Sequence, residues 1–245
     1  MIGVQLKKHL TSKTELIVAL DFPRADRAME LVKKLGLASV LFKVGSELFL
    51  SGGPDFVREL VHQKKRVFLD LKLHDIPNTV AKAARQAAML HVEMMTVHLA
   101  GGSAMIRAVA DELSSIPELK PKILGVSVLT SFDDVRCAEV TKAMTGHAID
   151  VKTSVAGLVS YAQNCGVDGI VCSPLEVAQV RKDFPALYTV VPGIRPEGTP
   201  SNDQARVMTP KEARSAGAHA VVVGRPISEA KDPSAVVEKI LGDLA

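Results

Sequence analysis

Residues 66–72 read RVFLDLK, a short apolar run that ends in charged side chains. Runs of this kind, rich in β-branched residues, recur between amphipathic stretches along the chain. We predict eight strands, namely LIVALD (16–21), VLFKVG (40–45), RVFLDLK (66–72), MMTVHLA (94–100), KILGVSVLT (122–130), GIVCS (169–173), YTVVPGI (188–194) and AVVVGRP (220–226). Nearly continuous apolar strands are typical of parallel sheets that are covered on both faces.

The amphipathic stretches between the strands predict helices, among them 24–36, 54–63 and 77–90. Proline is favoured at the first position of a helix, so helices are expected to begin at the prolines of three such stretches, Pro54, Pro77 and Pro174.

Eight strand–helix units in a chain of 245 residues indicate a single (β/α)8 barrel (TIM barrel) over residues 1–245. A doubly wound open sheet is the alternative. Residues 131–168 are long enough for more than one helix, and the polar segment 195–208 is expected to be a mobile loop after strand seven.

Composition excludes several classes of protein. No apolar run approaches the roughly 18 residues of a membrane span, and the start of the chain lacks the apolar core of a signal peptide. The net charge of +3 is too small to indicate binding to phosphate backbones. With no Trp and two Tyr, the chain also has few aromatic side chains on which bases could stack, so nucleic acid is not expected as a partner. An odd number of cysteines (Cys137, Cys165 and Cys172) without a CxxC pair predicts the reducing cytosol.

In a barrel of this kind the active site lies at the carboxyl ends of the strands. The polar or glycine positions expected there are Asp21, Lys43, Asp70, Lys72, His98, Thr130, Gly224 and Arg225, with Asp75 just beyond strand three. Since a lone buried charge is costly, charged groups here need partners, and the signs of Lys43, Asp70, Lys72 and Asp75 alternate. His98 is expected to be a hydrogen-bonded core residue rather than a catalytic one.

Asp70 and Lys72 are two residues apart and therefore share one face of their strand, next to Lys43 on the neighbouring strand. Asp75 breaks this alternation, because it is three residues beyond Lys72. It must lie on the loop, where Pro77 holds the preceding residue in extended backbone before the helix. It is expected to turn to its own site or to reach a neighbouring subunit. The alternatives are a helix cap for Asp75, a snorkelling lysine at 43 and a structural ion pair of Asp70 with Lys72.

The segments after strands seven and eight predict a phosphate site. Gly193, Arg195, Gly224 and Arg225 offer backbone N–H groups and guanidinium groups, both of which bind phosphate oxygens. Gln204, in the polar loop, is expected to close over the same group. The alternative is that these glycines and arginines only form turns.

With FLDLKLHDIPNT (68–79), the chain resembles the orotidine 5′-phosphate decarboxylase family, in its bacterial type. The likeness covers the whole chain in the family's order, through VALD (18–21), FKVGSELF (42–49), VLTS (128–131), VPGIRPEG (191–198), DQARVMTP (203–210) and VVVGRPI (221–227). It implies decarboxylation of orotidine 5′-monophosphate (OMP) to UMP, the last step of de novo pyrimidine nucleotide biosynthesis, without metal or cofactor.

The resemblance also implies a role for each matching residue. Lys43, Asp70, Lys72 and Asp75 would form a charged tetrad, in which Lys72 donates the proton and Asp75 comes from the second subunit of a homodimer. Asp21 would bind one ribose hydroxyl and Thr79, across the interface, another. Thr130 would contact the pyrimidine, and the phosphate would be held by Arg195, Gln204, Gly224 and Arg225.

The chemistry agrees with these roles. Loss of CO2 from C6 leaves a carbanion in the ring plane, where the π system does not delocalise it, so stabilisation must come from preorganised charge. An ammonium at Lys72, kept charged by Asp70 and Asp75, would stabilise the carbanion and then protonate it. Crowding of the substrate carboxylate by Asp70 and closure of the loop on the phosphate are further hypotheses.

Three other functions remain open. A Mg²⁺-dependent keto-sugar-phosphate decarboxylase or hexulose-phosphate synthase shares DxKxxD, but Lys43 would repel the cation. A Schiff-base aldolase needs a neutral lysine, which the adjacent carboxylates oppose. The third alternative is a barrel that binds a phosphate ligand without catalysis. Ligand binding alone does not require two lysines and two carboxylates at the same end of the barrel.

Overall fold

The computed structural model describes residues 14–198 and 207–245. Within them, eight parallel strands pair in chain order and close on themselves, which confirms the predicted (β/α)8 barrel. The strands are β1 (Glu15–Ala19), β2 (Leu41–Gly45), β3 (Arg66–Leu73), β4 (Met94–His98), β5 (Lys122–Val126), β6 (Gly169–Val171), β7 (Tyr188–Val191) and β8 (Ala220–Val223). The helices are α1 (Ala25–Leu35), α2 (Ser46–His62), α3 (Pro77–Met89), α4 (Gly102–Ser114), α5 (Asp134–Thr145), α6 (Val151–Ala162), α7 (Val177–Asp183), α8 (Pro210–Ser215), α9 (Arg225–Ser228) and α10 (Pro233–Asp243).

Side chains on the strands alternate between two cores, as the period of two of a strand requires. One set fills the barrel interior, and the other packs beneath the helices. The interior set consists of Ile17, Ala19, Leu41, Phe68, Met94, Leu124, Val190, Ala220 and Val222. The barrel is therefore filled with side chains and is not a pore.

A layer of polar side chains closes the amino-terminal end of the barrel. Glu15, Arg66, Lys122 and Tyr188 are the first residues of β1, β3, β5 and β7. Arg66 Nη1 lies 2.7 Å from Glu15 Oε1, and Lys122 Nζ lies 5.6 Å from the centre of the Tyr188 ring. Burial raises the pKa of Glu15, but hydrogen bonds from Tyr188 and Arg66 outweigh it and hold that pKa below its usual value.

Of the three prolines that are predicted to begin helices, only Pro77 does so. Pro77 starts α3, but Pro54 lies inside α2, just after a kink at Gly53, whose φ is +63°. Glycine tolerates this left-handed backbone, so the helical segment before the kink and the one that Pro54 begins stay joined. Pro174 starts a turn, and α7 begins only at Val177.

Residues 131–168 contain two helices, α5 and α6, as their length predicted. The three cysteines are buried and form no disulfide with one another. No helix in the described parts of the chain has the length and apolar character needed to cross a bilayer.

Candidate active site

The inward-facing columns of the first strands pass from apolar residues to charged ones at the carboxyl end of the barrel. On β1, Ala19 is the last interior residue and Asp21 follows it on the same face. On β2, Lys43 follows Leu41, and on β3, Asp70 follows Phe68. The alternation that fills the barrel thus also sets the charged groups at its mouth.

These side chains form one array of alternating charge. Lys43 Nζ lies 2.9 Å from Asp21 Oδ1 and 3.8 Å from Asp70 Oδ2. Lys72 Nζ donates to both carboxylate oxygens of Asp70 at 3.0 Å. The Lys43 and Asp70 side chains are each 12% exposed, whereas Lys72 is 40% exposed. The paired ions are therefore shielded at the base of the mouth, and the Lys72 ammonium is open to an incoming ligand.

Strand β3 departs from regular geometry at this point. Lys72 has a φ of +50°, which is uncommon for any residue other than glycine. Its backbone N–H donates to Thr96 Oγ1 at 2.8 Å, and the same hydroxyl donates to Asp70 Oδ1 at 3.0 Å. Thr96 was not singled out in the sequence. The available signal was a hydroxyl at an interior position of β4, between Met94 and His98.

Asp75 and Thr79 lie outside this array. Both are exposed, and Asp75 accepts a hydrogen bond from its neighbour Ile76 N at 2.6 Å. The alternative of a helix cap is not observed, since Ile76 occupies the cap position of α3 and that cap has no side-chain hydrogen bond. Within the described chain, Asp75 forms no salt bridge with Lys43 or Lys72. The structure thus brings together three members of the predicted tetrad, with Asp21 in place of Asp75.

The predicted phosphate residues line one cleft, of about 660 Å³, that opens beside the charged array. Its lining includes Asp21, Lys43, Gly193, Arg195, Gly224 and Arg225. The Arg195 side chain donates to the carbonyl of Ile194 at 3.0 Å and is buried. Gly193 has a φ of +79°, a turn conformation that glycine adopts without strain. Gln204 lies outside the described residues.

The structure places one of the predicted residues, Thr130, beyond the end of its strand. Thr130 was predicted to end the fifth strand, but β5 stops at Val126, so Thr130 lies in the following loop and not in the lining of the 660 Å³ cleft. The last pair between β5 and β6 is Val126 with Val171, and both the backbone N–H and the hydroxyl of Ser127 donate to the Val171 carbonyl, the hydroxyl at 3.1 Å.

His98 makes structural contacts, as its sequence context predicted. Its Nδ1 accepts the Ala100 N–H at 3.2 Å, and its ring stacks on His74. Burial, with the charges of His74 and Lys72, holds the pKa of His98 below its usual value, so the ring is neutral at neutral pH.

Comparisons with known proteins agree on one family. Residues 14–240 match the model described as "Orotidine 5'-phosphate decarboxylase / HUMPS family". The chain is 45% identical over 231 residues to the orotidine 5′-phosphate decarboxylase of Legionella pneumophila, covering 94% of this chain and 99% of the relative. It is 42% identical over 232 residues to that of Pseudomonas entomophila, covering 95% and 97%. The crystal structure of the Lactobacillus acidophilus orotidine 5′-phosphate decarboxylase is similar, with a TM-score of 0.82 at 38% identity and coverage of 94% and 99%.

Proposed function

The chain belongs to the orotidine 5′-phosphate decarboxylase / HUMPS family, and we propose that it is a carboxy-lyase that converts OMP to UMP in pyrimidine biosynthesis, without metal or cofactor. The observation that carries this proposal is the array of Asp21, Lys43, Asp70 and Lys72. It supplies fixed charge where a carbanion would form, beside a cleft with two arginines where a phosphate would bind.

Lys72 is the proton donor of the proposed reaction. The bond between C6 and the carboxylate breaks, its electron pair stays on C6, and CO2 leaves. Because Lys72 Nζ is hydrogen-bonded to both oxygens of Asp70, an ammonium is already in place before the charge develops. One N–H of that ammonium passes its proton to C6, which gives UMP, and the amine regains a proton from solvent.

The remaining predicted residues hold the parts of OMP that do not react. Asp21 binds a ribose hydroxyl, and its distance of 2.9 Å to Lys43 fixes the direction of its carboxylate. The phosphate is held by Arg195, Gln204, Gly224 and Arg225, and the pyrimidine is contacted by Thr130. Binding energy from the phosphate is available to close the 195–208 loop and to orient C6 against Lys72.

The position of Lys43 supports chemistry without a divalent cation. Its ammonium stands between Asp21 and Asp70, the two carboxylates that a Mg²⁺ ion would otherwise use. Both lysines form ion pairs with carboxylates, whereas a Schiff-base enzyme needs a lysine whose neutral amine is free to attack.

The homodimer is part of the proposal. Asp75 and Thr79 are exposed, and Ile76 between them is 67% exposed, so this loop is presented outward from its own barrel. We propose that it completes the site of a second copy, where Asp75 joins Lys72 and Thr79 binds a ribose hydroxyl. The cytosolic location rests on the cysteine content and stays a prediction.

Turnover of OMP by the purified protein, followed by ultraviolet absorbance in the presence of EDTA, tests the activity. Rapid loss of the substrate spectrum is expected, whereas activity that EDTA abolishes would point to the Mg²⁺-dependent sugar-phosphate enzymes. Lys72→Ala is expected to abolish turnover while UMP still binds. A Lys72→Ala enzyme with near-normal kcat would contradict the role of Lys72.

Mixing two inactive variants tests the shared site. Lys72→Ala and Asp75→Asn subunits, unfolded together and refolded, would form hybrid dimers in which one site is intact. Because half of the dimers are hybrids with one good site in two, recovery of about a quarter of wild-type activity is expected. No recovery, from variants that refold as dimers, would place Asp75 in its own subunit's site.

A further inference from the structure

Strand β3 contains a bulge at the catalytic residues. Phe68 and Leu69 pair with Met94 and Met95, but the next pair is Leu73 with Val97. Between these pairs β3 advances four residues and β4 only two. Asp70, Leu71 and Lys72 therefore lie in a segment that is irregular on its β4 side, although Asp70 still pairs with Gly45 of β2 on the other side.

This irregularity has two consequences for Lys72. Its φ of +50° is unfavourable for a residue with a Cβ, so the conformation persists only if the surroundings fix it. Its backbone N–H has also left the ladder with β4 and needs another acceptor in the interior.

One hydroxyl meets both needs. Thr96 is buried at 1% exposure and lies on β4 opposite the bulge. Its oxygen accepts the Lys72 N–H at 2.8 Å, while its proton goes to Asp70 Oδ1 at 3.0 Å. A hydroxyl has a single proton, so this arrangement fixes the direction of the Thr96 side chain and, through it, the carboxylate of Asp70.

We propose that Thr96 is a positioning residue for the decarboxylation, an inference that rests on the proposed function. By holding the Lys72 backbone and the Asp70 carboxylate together, Thr96 fixes the point from which the Lys72 ammonium extends. Thr96 does not line the 660 Å³ cleft beside Arg195 and Arg225. Its hydroxyl therefore affects the chemical step and leaves ligand affinity nearly unchanged.

The test compares Thr96→Val, which replaces the hydroxyl by a methyl group, with Thr96→Ser, which retains it. Thr189→Val is the matched control, because Thr189 is also fully buried on a strand and its hydroxyl lies 3.0 Å from His219 Nδ1, at the other end of the barrel. For each variant kcat and KM for OMP, the Kd for UMP and the melting temperature are measured. Thr96→Ala gives the same contrast if the valine variant does not fold.

Thr96→Val is expected to lower kcat about 10- to 100-fold, the effect of losing one hydrogen bond to a charged group, with KM and the UMP Kd nearly unchanged. Thr96→Ser is expected to restore most of kcat, and Thr189→Val to retain it. The proposal is overturned if Thr96→Val keeps kcat within about twofold of wild type, or if UMP affinity falls as much as kcat does. Absence of turnover by the wild-type protein would instead overturn the proposed function itself.

Discussion

Comparing Lys72→Gly with Lys72→Ala measures the free energy that the left-handed backbone at residue 72 costs, separately from the function of the lysine side chain. Both variants lose the ammonium and its hydrogen bonds with Asp70, so they differ from each other by one methyl group. At most positions glycine is the less stable of the two by about 0.5–1 kcal/mol, because it loses more conformational freedom on folding. At a φ of +50° the order is expected to reverse.

The size of the reversal follows from the backbone angle. A left-handed conformation costs a residue with a Cβ about 1–2 kcal/mol, and glycine avoids that cost. Subtracting glycine's loss of freedom leaves Lys72→Gly more stable than Lys72→Ala by about 0.75 kcal/mol at the midpoints of the two ranges. In a domain of this size that difference corresponds to roughly 1–4 °C in melting temperature.

Two other lysines provide controls. Lys64 is exposed, follows α2 and has a φ of +61°, so its glycine variant should also be more stable than its alanine variant. Lys239 is exposed in the middle of α10, where glycine should be less stable than alanine by about 1 kcal/mol. Urea unfolding of all six variants gives the free energies. If the Lys72 pair behaves like the Lys239 pair, the reasoning about a strained catalytic backbone is wrong.

Three further predictions concern other parts of the molecule. Gly45→Ala would place a Cβ 3.1 Å from Lys43 Nζ, on an extended backbone that alanine adopts without strain. The Lys43 ammonium must then shift, so KM for OMP in steady-state kinetics should rise roughly fivefold while stability is retained. An unchanged KM would contradict this prediction. Glu15→Gln should lower the free energy of unfolding by about 1–2 kcal/mol at neutral pH. The pKa of Glu15 in the folded protein is below its ordinary value of 4.5. The wild type should therefore exceed the variant in free energy of unfolding by the whole amount above pH 4.5, and this excess should disappear as the pH falls through the folded-state pKa. Urea unfolding that gave the same excess at every pH would refute this prediction. Arg225→Ala should weaken UMP binding about 10- to 100-fold in calorimetry, and an equal loss for uridine, which has no phosphate, would count against the phosphate site.

The barrel was predictable from the sequence because its signal is repeated. Each of eight apolar runs identified a strand, and errors at their ends did not change the count. The grouping of Lys43, Asp70 and Lys72 was predictable for a related reason, since alternation along neighbouring strands fixes which side chains face the same interior.

What the sequence did not predict depends on contacts between distant residues. The bulge in β3 and the left-handed Lys72 are stabilised by Thr96, which is 24 residues away in the chain. The pairing of Asp21 with Lys43 joins residues 22 apart, and no local pattern indicates it. Thr130 was misplaced because the apolar run 122–130 continues beyond Val126, where β5 ends.

The polar layer at the amino-terminal end of the barrel has a consequence for the order of events in catalysis. Glu15, Arg66, Lys122 and Tyr188 cover that end, and in the described part of the chain the side chains that fill the interior above them leave no passage through the barrel. Among the residues that the structure describes, the carboxyl end of the barrel, beside Lys72, is thus the side from which OMP would enter and both products would leave. CO2 carries no charge and no phosphate anchor, so it escapes first and UMP departs last. UMP should then compete directly with OMP for the free enzyme.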